Sequence, residues 1–290
     1  MVNALQAYAV TERVVGRGAA WRIGRWLYLG ARRELLNDPR HNGEYALQTW
    51  VVAAMAGDHT GAVFLDVGAN LGDWTGSLVG VLERHGASEW QIHAVEPAPA
   101  LLARLRQRFA ERIGQSAIYA VPQALGAAEG RLPFFVTGEE AGSSSLLDLD
   151  RRAPSERISV EVTTIDRYLA ARRIDAVAFL KIDTEGNDFN VILGGREAIC
   201  NGRINIIQFE YNWRWIPFGH SLWKVFAFAA EVGYRVGRLT MDGVEIYDSW
   251  HPELDRFIET NFVMGRPQAL DRLPHRVMKF GTSNTPVETA

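Results

Sequence analysis

The sequence predicts a Rossmann-like α/β domain: a three-layer sandwich with a mostly parallel sheet, an antiparallel edge and an N-terminal helical extension. Short apolar runs rich in β-branched residues alternate with helical patterns, which is typical of a parallel sheet covered by helices on both faces. Three runs near the end of the chain suit antiparallel strands. Since 47% of the 290 residues are hydrophobic, the chain can build one buried core. We expect a helical extension at residues 1–50, a domain at 51–280 and a flexible tail at 281–290.

The first element is a basic amphipathic helix between Glu12 and Arg40, a segment that holds seven arginines. Such a helix either meets an anionic lipid or anionic substrate, or packs its apolar stripe on the domain and leaves its arginines solvated. The same helix is also a candidate contact between subunits of a homo-oligomer. Its large apolar side chains are Trp21, Ile23, Trp26, Leu27 and Tyr28.

The strands follow in order along the chain. The five parallel strands are predicted at residues 63–67, 91–95, 117–121, 176–182 and 204–210. Two additional strands, 131–136 and 158–162, flank a loop that contains residues 142–145. The antiparallel strands are predicted at residues 234–239, 243–247 and 261–264. From Thr282 onward the sequence is polar, and we expect a frayed end.

Composition narrows the classes of function. A formal charge of −3 gives no global electrostatic reason to bind nucleic acid or an anionic membrane. Cys200 is the only cysteine, which excludes an internal disulfide and suits a reducing cytosol. No run approaches the ~20 apolar residues of a membrane span, and the first residues lack the pattern of a signal peptide. We therefore expect a cytoplasmic protein that has neither a nucleic-acid partner nor a transmembrane segment.

The strongest motif is the glycine-rich turn after the first strand, FLDVGANLGDW at residues 64–74. Its spacing is not that of a dinucleotide fingerprint, because Asn70 and Asp73 stand where that pattern requires glycines after Gly68. Asp66 would repel a pyrophosphate but suits a cationic ligand, such as the amino group of a sulfonium amino acid. The alternative is a tight turn without a ligand. The predicted cofactor-binding residues here are Asp66, Gly68, Ala69, Asn70 and Gly72.

Acidic and small residues follow the next two strands. Glu96, which precedes Pro97, can accept hydrogen bonds from both hydroxyls of a ribose. An adenine would then lie against the segment after the third strand, although an ordinary strand connection explains that segment equally well. The further predicted cofactor-binding residues are Glu96, Pro97, Gln123, Ala124 and Leu125.

The fourth strand ends in Lys181, Asp183 and Glu185, beside the expected reacting end of the cofactor. We predict Asp183 both as a catalytic and as a cofactor-binding residue, and Glu185 as a further catalytic candidate. The alternative is that Asp183 caps the following helix and that Glu185 is an acid of its first turn.

The fifth strand ends in QFEYNWRW at residues 208–215, where Glu210 is a third catalytic candidate. The dense aromatic residues suit a platform for a sugar ring, or else ordinary core packing. Asp183, Glu210 and Asn212 could together hold one divalent cation, but nothing in the sequence fixes their geometry.

With these residues in place, the chain resembles the FkbM family of S-adenosylmethionine-dependent methyltransferases. The resemblance implies the class I methyltransferase fold, S-adenosylmethionine as cofactor and, usually, O-methylation of a hydroxyl on a sugar or secondary metabolite. Asp188 stands where the family more often has glutamate, and beyond Trp213 the match thins. The matching segments are residues 42–45, 66–72, 94–97, 142–146, 180–186 and 193–195.

The reaction implied is an in-line displacement in which an acceptor oxygen attacks the sulfonium methyl group. A hydroxyl acceptor calls for a general base or a metal, and our candidates for the base are Asp183, Glu210 and then Glu185. We expect a glycan or small-molecule acceptor. The alternatives are a polyketide hydroxyl, a carboxylate, or a non-catalytic protein that binds the cofactor. A nicotinamide oxidoreductase fits poorly because the glycine spacing is broken.

Overall fold

A computed structural model describes residues 9, 12–34, 38–55, 60–115, 117–137, 144–148 and 155–289. The helices in these ranges are α1 (Arg17–Ala31), α2 (Glu44–Ala54), α3 (Asp73–Arg84), α4 (Pro99–Arg108), α5 (Ala110–Gly114), α6 (Ile165–Arg172), α7 (Asp188–Leu193), α8 (Arg196–Cys200), α9 (Leu222–Val232) and α10 (Pro267–Leu270).

The strands in the same ranges form two sheets. They are β1 (Val63–Val67), β2 (Gln91–Val95), β3 (Ile118–Val121), β4 (Ala124–Leu125), β5 (Gly130–Thr137), β6 (Ser155–Thr163), β7 (Val177–Ile182), β8 (Ile204–Tyr211), β9 (Arg235–Thr240), β10 (Gly243–Tyr247), β11 (Thr260–Gly265), β12 (His275–Phe280) and β13 (Pro286–Glu288).

The large sheet has the order β13-β12-β10-β9-β11-β8-β7-β1-β2-β3. The five strands from β8 to β3 are parallel to one another, with Leu65 of β1 opposite His93 of β2 and Leu180 of β7. β11 is antiparallel to both β8 and β9 and so begins the antiparallel edge. The Rossmann-like α/β class is confirmed, and each strand predicted from the sequence is present with bounds shifted by at most a few residues.

Helices cover both faces of the parallel strands, and this explains their continuous apolar character. Leu65 and Val67 of β1 pack on the face that carries α6 to α9. Phe64, one residue earlier, packs on the opposite face with α2 and α3. Alternation by two therefore turns the side chain of Asp66 toward the second face, under α3.

A smaller sheet, β4-β6-β5, stands beside the carboxyl ends of the parallel strands. β5 and β6 form a hairpin that contains the two additional strands predicted from the sequence. Phe134 and Val162 of this hairpin pack against Ala98 and Leu101, at the start of α4. The hairpin therefore adds an apolar wall next to the end of β2. The part of the loop at residues 138–143 lies outside the described residues.

Both ends of the chain differ from expectation. α2 crosses the predicted boundary at residue 50, and its Leu47 and Val52 belong to the core, so α2 is part of the domain rather than of an extension. The tail, expected to be frayed, contains β13, which pairs antiparallel with β12. The physical reason is that β12 pairs parallel with β10 and leaves an open sheet edge, whose unpaired N–H and C=O groups accept another strand.

No helix in the described part of the chain is long and apolar enough to cross a bilayer.

Candidate functional site

A cavity of about 290 Å³ lies at the carboxyl ends of β1, β2 and β7. Open α/β sheets bind their ligands at this edge. The structure brings most of the predicted site residues together here, although Asp66, Gly72 and Glu210 do not line the cavity. The predicted residues that do line it are Gly68, Ala69, Asn70, Glu96, Pro97, Gln123, Ala124, Leu125, Asp183 and Glu185.

The glycine-rich turn brings the ends of β1 and β7 very close together. Gly68 has φ of +81°, and a Cβ atom there would lie 1.8 Å from the carbonyl oxygen of Asp183. Gly72, at φ +78°, is the N-cap of α3, and a Cβ atom there would lie 2.5 Å from the Phe109 ring. Both glycines are thus required by the backbone geometry itself, and only Gly68 also borders the cavity.

Glu96 ties this turn to the start of α4. One of its carboxylate oxygens accepts a hydrogen bond from the Asn70 N–H at 2.9 Å, and the other accepts one from the Ala98 N–H at 2.8 Å. Burial raises the pKa of Glu96 to about 7, although the two backbone hydrogen bonds act in the opposite direction. The result is an immobilised carboxylate on the cavity wall, with remaining lone pairs for a hydroxyl-bearing ligand.

Asp66 is fully buried and stands behind the wall rather than on it. It accepts a hydrogen bond from the Thr75 hydroxyl at 2.7 Å, and its second oxygen lies 3.6 Å from the Lys181 ammonium. Lys181 in turn lies 3.1 Å from Asp183, which does line the cavity. Asp66 is therefore connected to the cavity only by its ion pair with Lys181. The sequence predicted that Asp66 would contact a ligand directly.

Lys181 is the centre of a buried cluster of charges. Burial alone would lower its pKa, but the neighbouring carboxylates of Asp183, Asp66 and Glu44 raise it above its ordinary value. Lys181 is therefore a permanent cation. Its side chain is only 7% exposed, so these carboxylates rather than water must balance its charge.

Glu44, at the start of α2, lines the cavity and was not among the predicted site residues. It accepts a hydrogen bond of 2.7 Å from Gln208 Nε2, and burial raises its pKa to about 7. The available signal was the match of residues 42–45 to the family pattern. Phe134 and Leu101, which also line the cavity, had no such signal, because only the tertiary fold brings the β5–β6 hairpin to α4.

The segment after β7 does not cap a helix with Asp183. α7 begins at Asp188 and its N-cap is Asn187, so the helix-capping alternative for Asp183 and Glu185 is wrong. Glu185 has φ of +55° and pairs with the Arg214 guanidinium at 3.1 Å. Burial raises the pKa of Glu185 to about 8.

Asp188 is nearly inaccessible to solvent. It accepts hydrogen bonds from the Gly186 N–H and the Thr184 hydroxyl, both at 3.2 Å, yet burial raises its pKa from 3.8 to about 8. A carboxyl group whose pKa is higher in the folded than in the unfolded chain binds more protons when folded. It therefore destabilises the folded state increasingly as pH rises from about 4 to 8.

Between about pH 5.5 and 8, we therefore expect the unfolding free energy to fall less in the Asp188→Asn variant than in the wild type. The difference between the two decreases should reach up to ~3 kcal/mol. Denaturant titrations at the two pH values measure the difference. The matched control is Asp175→Asn, an exposed aspartate whose removal should leave the slope of the wild type unchanged. Parallel wild-type and Asp188→Asn slopes would contradict the assigned titration.

The remaining catalytic candidate, Glu210, lies at the end of β8, outside the cavity wall. It accepts a hydrogen bond of 2.7 Å from Asn212 Nδ2, and burial raises its pKa well above 4.5. The side-chain Oδ1 of Asn212 accepts a hydrogen bond from the Arg214 N–H at 2.8 Å and so caps a short 3-10 helix. Among the residues that the structure describes, no group of three or more His, Cys, Asp or Glu side chains could hold a metal ion.

The aromatic residues after β8 divide between core and surface. Tyr211 and Trp215 are fully buried, so core packing is the correct interpretation for them. Trp213 is 46% exposed, and the Arg214 guanidinium stacks on it at 5.1 Å from the ring centroid. Arg214 also pairs with Glu185 on the cavity wall, so it connects the exposed Trp213 ring with a residue of the cavity.

The sheet order, the glycine-rich turn after β1 and the buried acid after β2 together define the class I architecture of S-adenosylmethionine-dependent methyltransferases. A family model for the methyltransferase FkbM domain matches residues 66–236, more than half of the sequence, and the chain therefore belongs to this family.

Three solved structures that resemble the chain are distant from it in sequence. The methyltransferase FkbM from Methylobacillus flagellatus KT is 19% identical, with a TM-score of 0.45 over 70% of this chain and 43% of that one, so less than half of it is matched. A SAM-dependent methyltransferase from Agrobacterium tumefaciens is 11% identical, with a TM-score of 0.40 over 77% and 61%. An rRNA methylase from Streptococcus thermophilus is 8% identical, with a TM-score of 0.38 over 76% and 94%. No curated protein matches the sequence.

Proposed function

We propose that this FkbM-family methyltransferase transfers a methyl group from S-adenosylmethionine to a hydroxyl group of a sugar or glycan. The single observation that carries the cofactor assignment is the Glu96 carboxylate. It is held by two backbone N–H groups on the wall of a cavity that the glycine-rich turn borders. An immobilised carboxylate suits the two hydroxyls of a ribose.

The remaining lining residues fit the other parts of the cofactor. Leu101, Leu125 and Phe134 supply apolar surface for an adenine ring. The Gly68 turn leaves room for the amino acid portion of the cofactor. Lys181 and Asp66 hold Asp183 in position from behind. Bound in this cavity, the cofactor supplies an electrophilic methyl group on a sulfonium sulfur.

For the transfer step, the protein must align an acceptor hydroxyl and remove its proton. Among the three candidates for the base, Asp183 alone both lines the cavity and is partly open to it, with 37% of its side chain exposed. Glu185 is held by Arg214, and Glu210 lies outside the cavity. We therefore assign the proton acceptor to Asp183, and the reaction needs no metal in this assignment.

A sugar acceptor is supported by Trp213. Its exposed ring offers a flat apolar surface on which a pyranose ring can stack, while Arg214 and Glu185 beside it can hydrogen-bond to hydroxyl groups. The cytoplasmic location of the protein and the absence of a nucleic-acid partner remain predictions from the sequence.

We expect the Glu96→Ala variant to bind S-adenosylhomocysteine about 10- to 150-fold more weakly than the wild type, since hydrogen bonds to a charged group are lost. Calorimetric titration measures the affinity. Because ribose hydroxyls are donors, binding by the wild type should also strengthen as pH rises through about 7, where Glu96 loses its proton. The matched control is Glu111→Ala, an exposed glutamate on α5. Wild-type protein that fails to bind S-adenosylhomocysteine would contradict the cofactor assignment.

The acceptor class is tested with S-adenosylmethionine that carries a radiolabelled methyl group. Oligosaccharides and nucleotide sugars are compared with polyketide alcohols and carboxylic acids. A methyl ether survives mild alkali, whereas a methyl ester is hydrolysed, so the stability of the labelled product identifies the bond. Labelled ether on a sugar, with a raised KM in a Trp213→Ala variant, is the expected result. Transfer to carboxylates or polyketides alone would overturn the sugar assignment.

A further inference from the structure

α1 carries an apolar face that the described part of the domain does not cover. Ile23, Trp26 and Leu27 are spaced three and four residues apart and so lie on one side of the helix. Their exposed fractions are 46%, 61% and 57%. Ala20 is the only buried residue of α1. The prediction that this stripe packs on the domain is therefore wrong for the described residues.

The opposite side of α1 carries Arg17 and Arg25 together with Trp21, which is 69% exposed. Arg17, Arg22 and Arg25 flank or oppose the apolar face, and the helix contains no acidic residue. Among the described residues, none of these three arginines has a carboxylate within ion-pair distance. The helix therefore carries a local charge of +3 in a chain whose net charge is −3.

The C-terminal end of α1 is fixed to the domain. The Tyr28 hydroxyl donates to Glu253 at 3.1 Å, and the Arg32 guanidinium donates to the Glu253 carbonyl oxygen at 2.8 Å. The helix thus has a defined orientation relative to the domain, while its apolar face remains open. An open face of this kind needs an occupant, because large exposed apolar side chains are unfavourable in water.

We propose that α1 binds the surface of an anionic lipid bilayer. A helix that exposes tryptophan and aliphatic side chains and also carries several arginines can lie in the plane of the membrane interface, with the arginines at the level of the headgroups. With 15 residues it is too short to span a bilayer, so it lies on the surface. A second copy of the chain fits this face less well, since the arginines of the two helices would repel each other.

The test is sedimentation of the full chain with phosphatidylcholine vesicles, with and without about 30% phosphatidylglycerol. We expect binding to the anionic vesicles only, weakened at about 0.5 M NaCl because salt screens the attraction. An Arg22→Gln, Arg25→Gln variant should partition about 30-fold less, at roughly fivefold per arginine. An Ile23→Ser, Trp26→Ser, Leu27→Ser variant should lose more than about 100-fold.

Two matched variants control for general losses of charge and apolar surface. The first is the double variant Arg106→Gln, Arg157→Gln, which removes two exposed arginines outside α1. The second is Trp223→Ser, which removes a tryptophan of α9 that is 55% exposed. Both should bind vesicles like the wild type. If the wild-type protein does not bind anionic vesicles, the proposal is overturned. The proposal would also be overturned if light scattering showed a dimer that does not bind vesicles and that dissociates in the Ile23→Ser, Trp26→Ser, Leu27→Ser variant. Neither result depends on methyl transfer, so the proposed function is tested separately.

Discussion

Replacing Lys181 by methionine is expected to lower the free energy of unfolding by about 3–5 kcal/mol near pH 8. Lys181 is the buried cation between Asp66, at 3.6 Å, and Asp183, at 3.1 Å. Without it, the buried carboxylates of Asp66 and Glu44 would either remain charged with no counterion or take up protons at a cost that grows with pH. Methionine has a similar volume and keeps the packing, so the loss isolates the charge.

The dependence on pH distinguishes charge from packing. Burial already raises the pKa of Asp66, and that of Glu44 to about 7. Such groups destabilise the folded state as pH rises from their unfolded pKa toward the folded one, so the loss in Lys181→Met should be smaller near pH 5 than near pH 8. Denaturant titrations at both pH values measure it.

Two further variants complete this test. Adding Asp66→Asn to Lys181→Met should restore part of the lost stability, because it removes one unpaired carboxylate. Lys279→Met, which removes an exposed lysine of β12, should change the unfolding free energy by no more than about 0.5 kcal/mol. An equal loss at both pH values, with no recovery in the double variant, would mean that Lys181 stabilises the fold through packing alone.

Local sequence patterns were sufficient to predict the parallel half of the fold. Each central strand is a short apolar run. An acid lies at the end of β1 and directly after β2, with glycine or proline within two residues of it, and this pattern marks the turn into a helix. β12 and β13 were missed for a physical reason. The sequence of β12, HRVMKF, lacks a regular alternation of polar and apolar residues, and β13 is a strand only because β12 offers it an unpaired edge.

The candidate site was predictable only where a residue's role follows from its place at the end of a strand. Glu96 and Asp183 line the cavity as expected. Asp66 does not, because the alternation of side chains along β1 turns it toward Thr75 of α3. Glu44 reaches the site from α2, which packs against α3, and this contact has no signal in the spacing of residues. Long-range packing thus decides which acids meet at the cavity.

The cluster around Lys181 gives the proposed base a fixed position. Asp183 follows β7, its backbone N–H donates to the Val67 carbonyl oxygen at 2.9 Å, and one of its carboxylate oxygens is paired with Lys181 at 3.1 Å. The carboxylate can therefore face an acceptor hydroxyl without reorganising. Exposed surface charges lack such restraint, and catalytic groups gain much of their effect from it.

We therefore expect Asp183→Asn to lower kcat by about 100- to 10,000-fold while S-adenosylhomocysteine affinity changes by less than about tenfold. Asparagine preserves the shape of the side chain but cannot accept the hydroxyl proton. Turnover with a sugar acceptor and calorimetry on the same preparation measure the two quantities. Glu185→Gln and Glu210→Gln are the matched controls, and they should lose less, because the first carboxylate pairs with Arg214 and the second lies outside the cavity.

Whether Asp183→Asn lowers kcat or cofactor affinity decides the role of Asp183. If the loss appears mainly as weaker cofactor binding, Asp183 holds the ammonium group of the cofactor and does not remove the proton. If Asp183→Asn keeps full turnover, the base is elsewhere, and the larger loss between Glu185→Gln and Glu210→Gln would identify it. A loss confined to kcat, with cofactor affinity retained, would establish Asp183 as the proton acceptor.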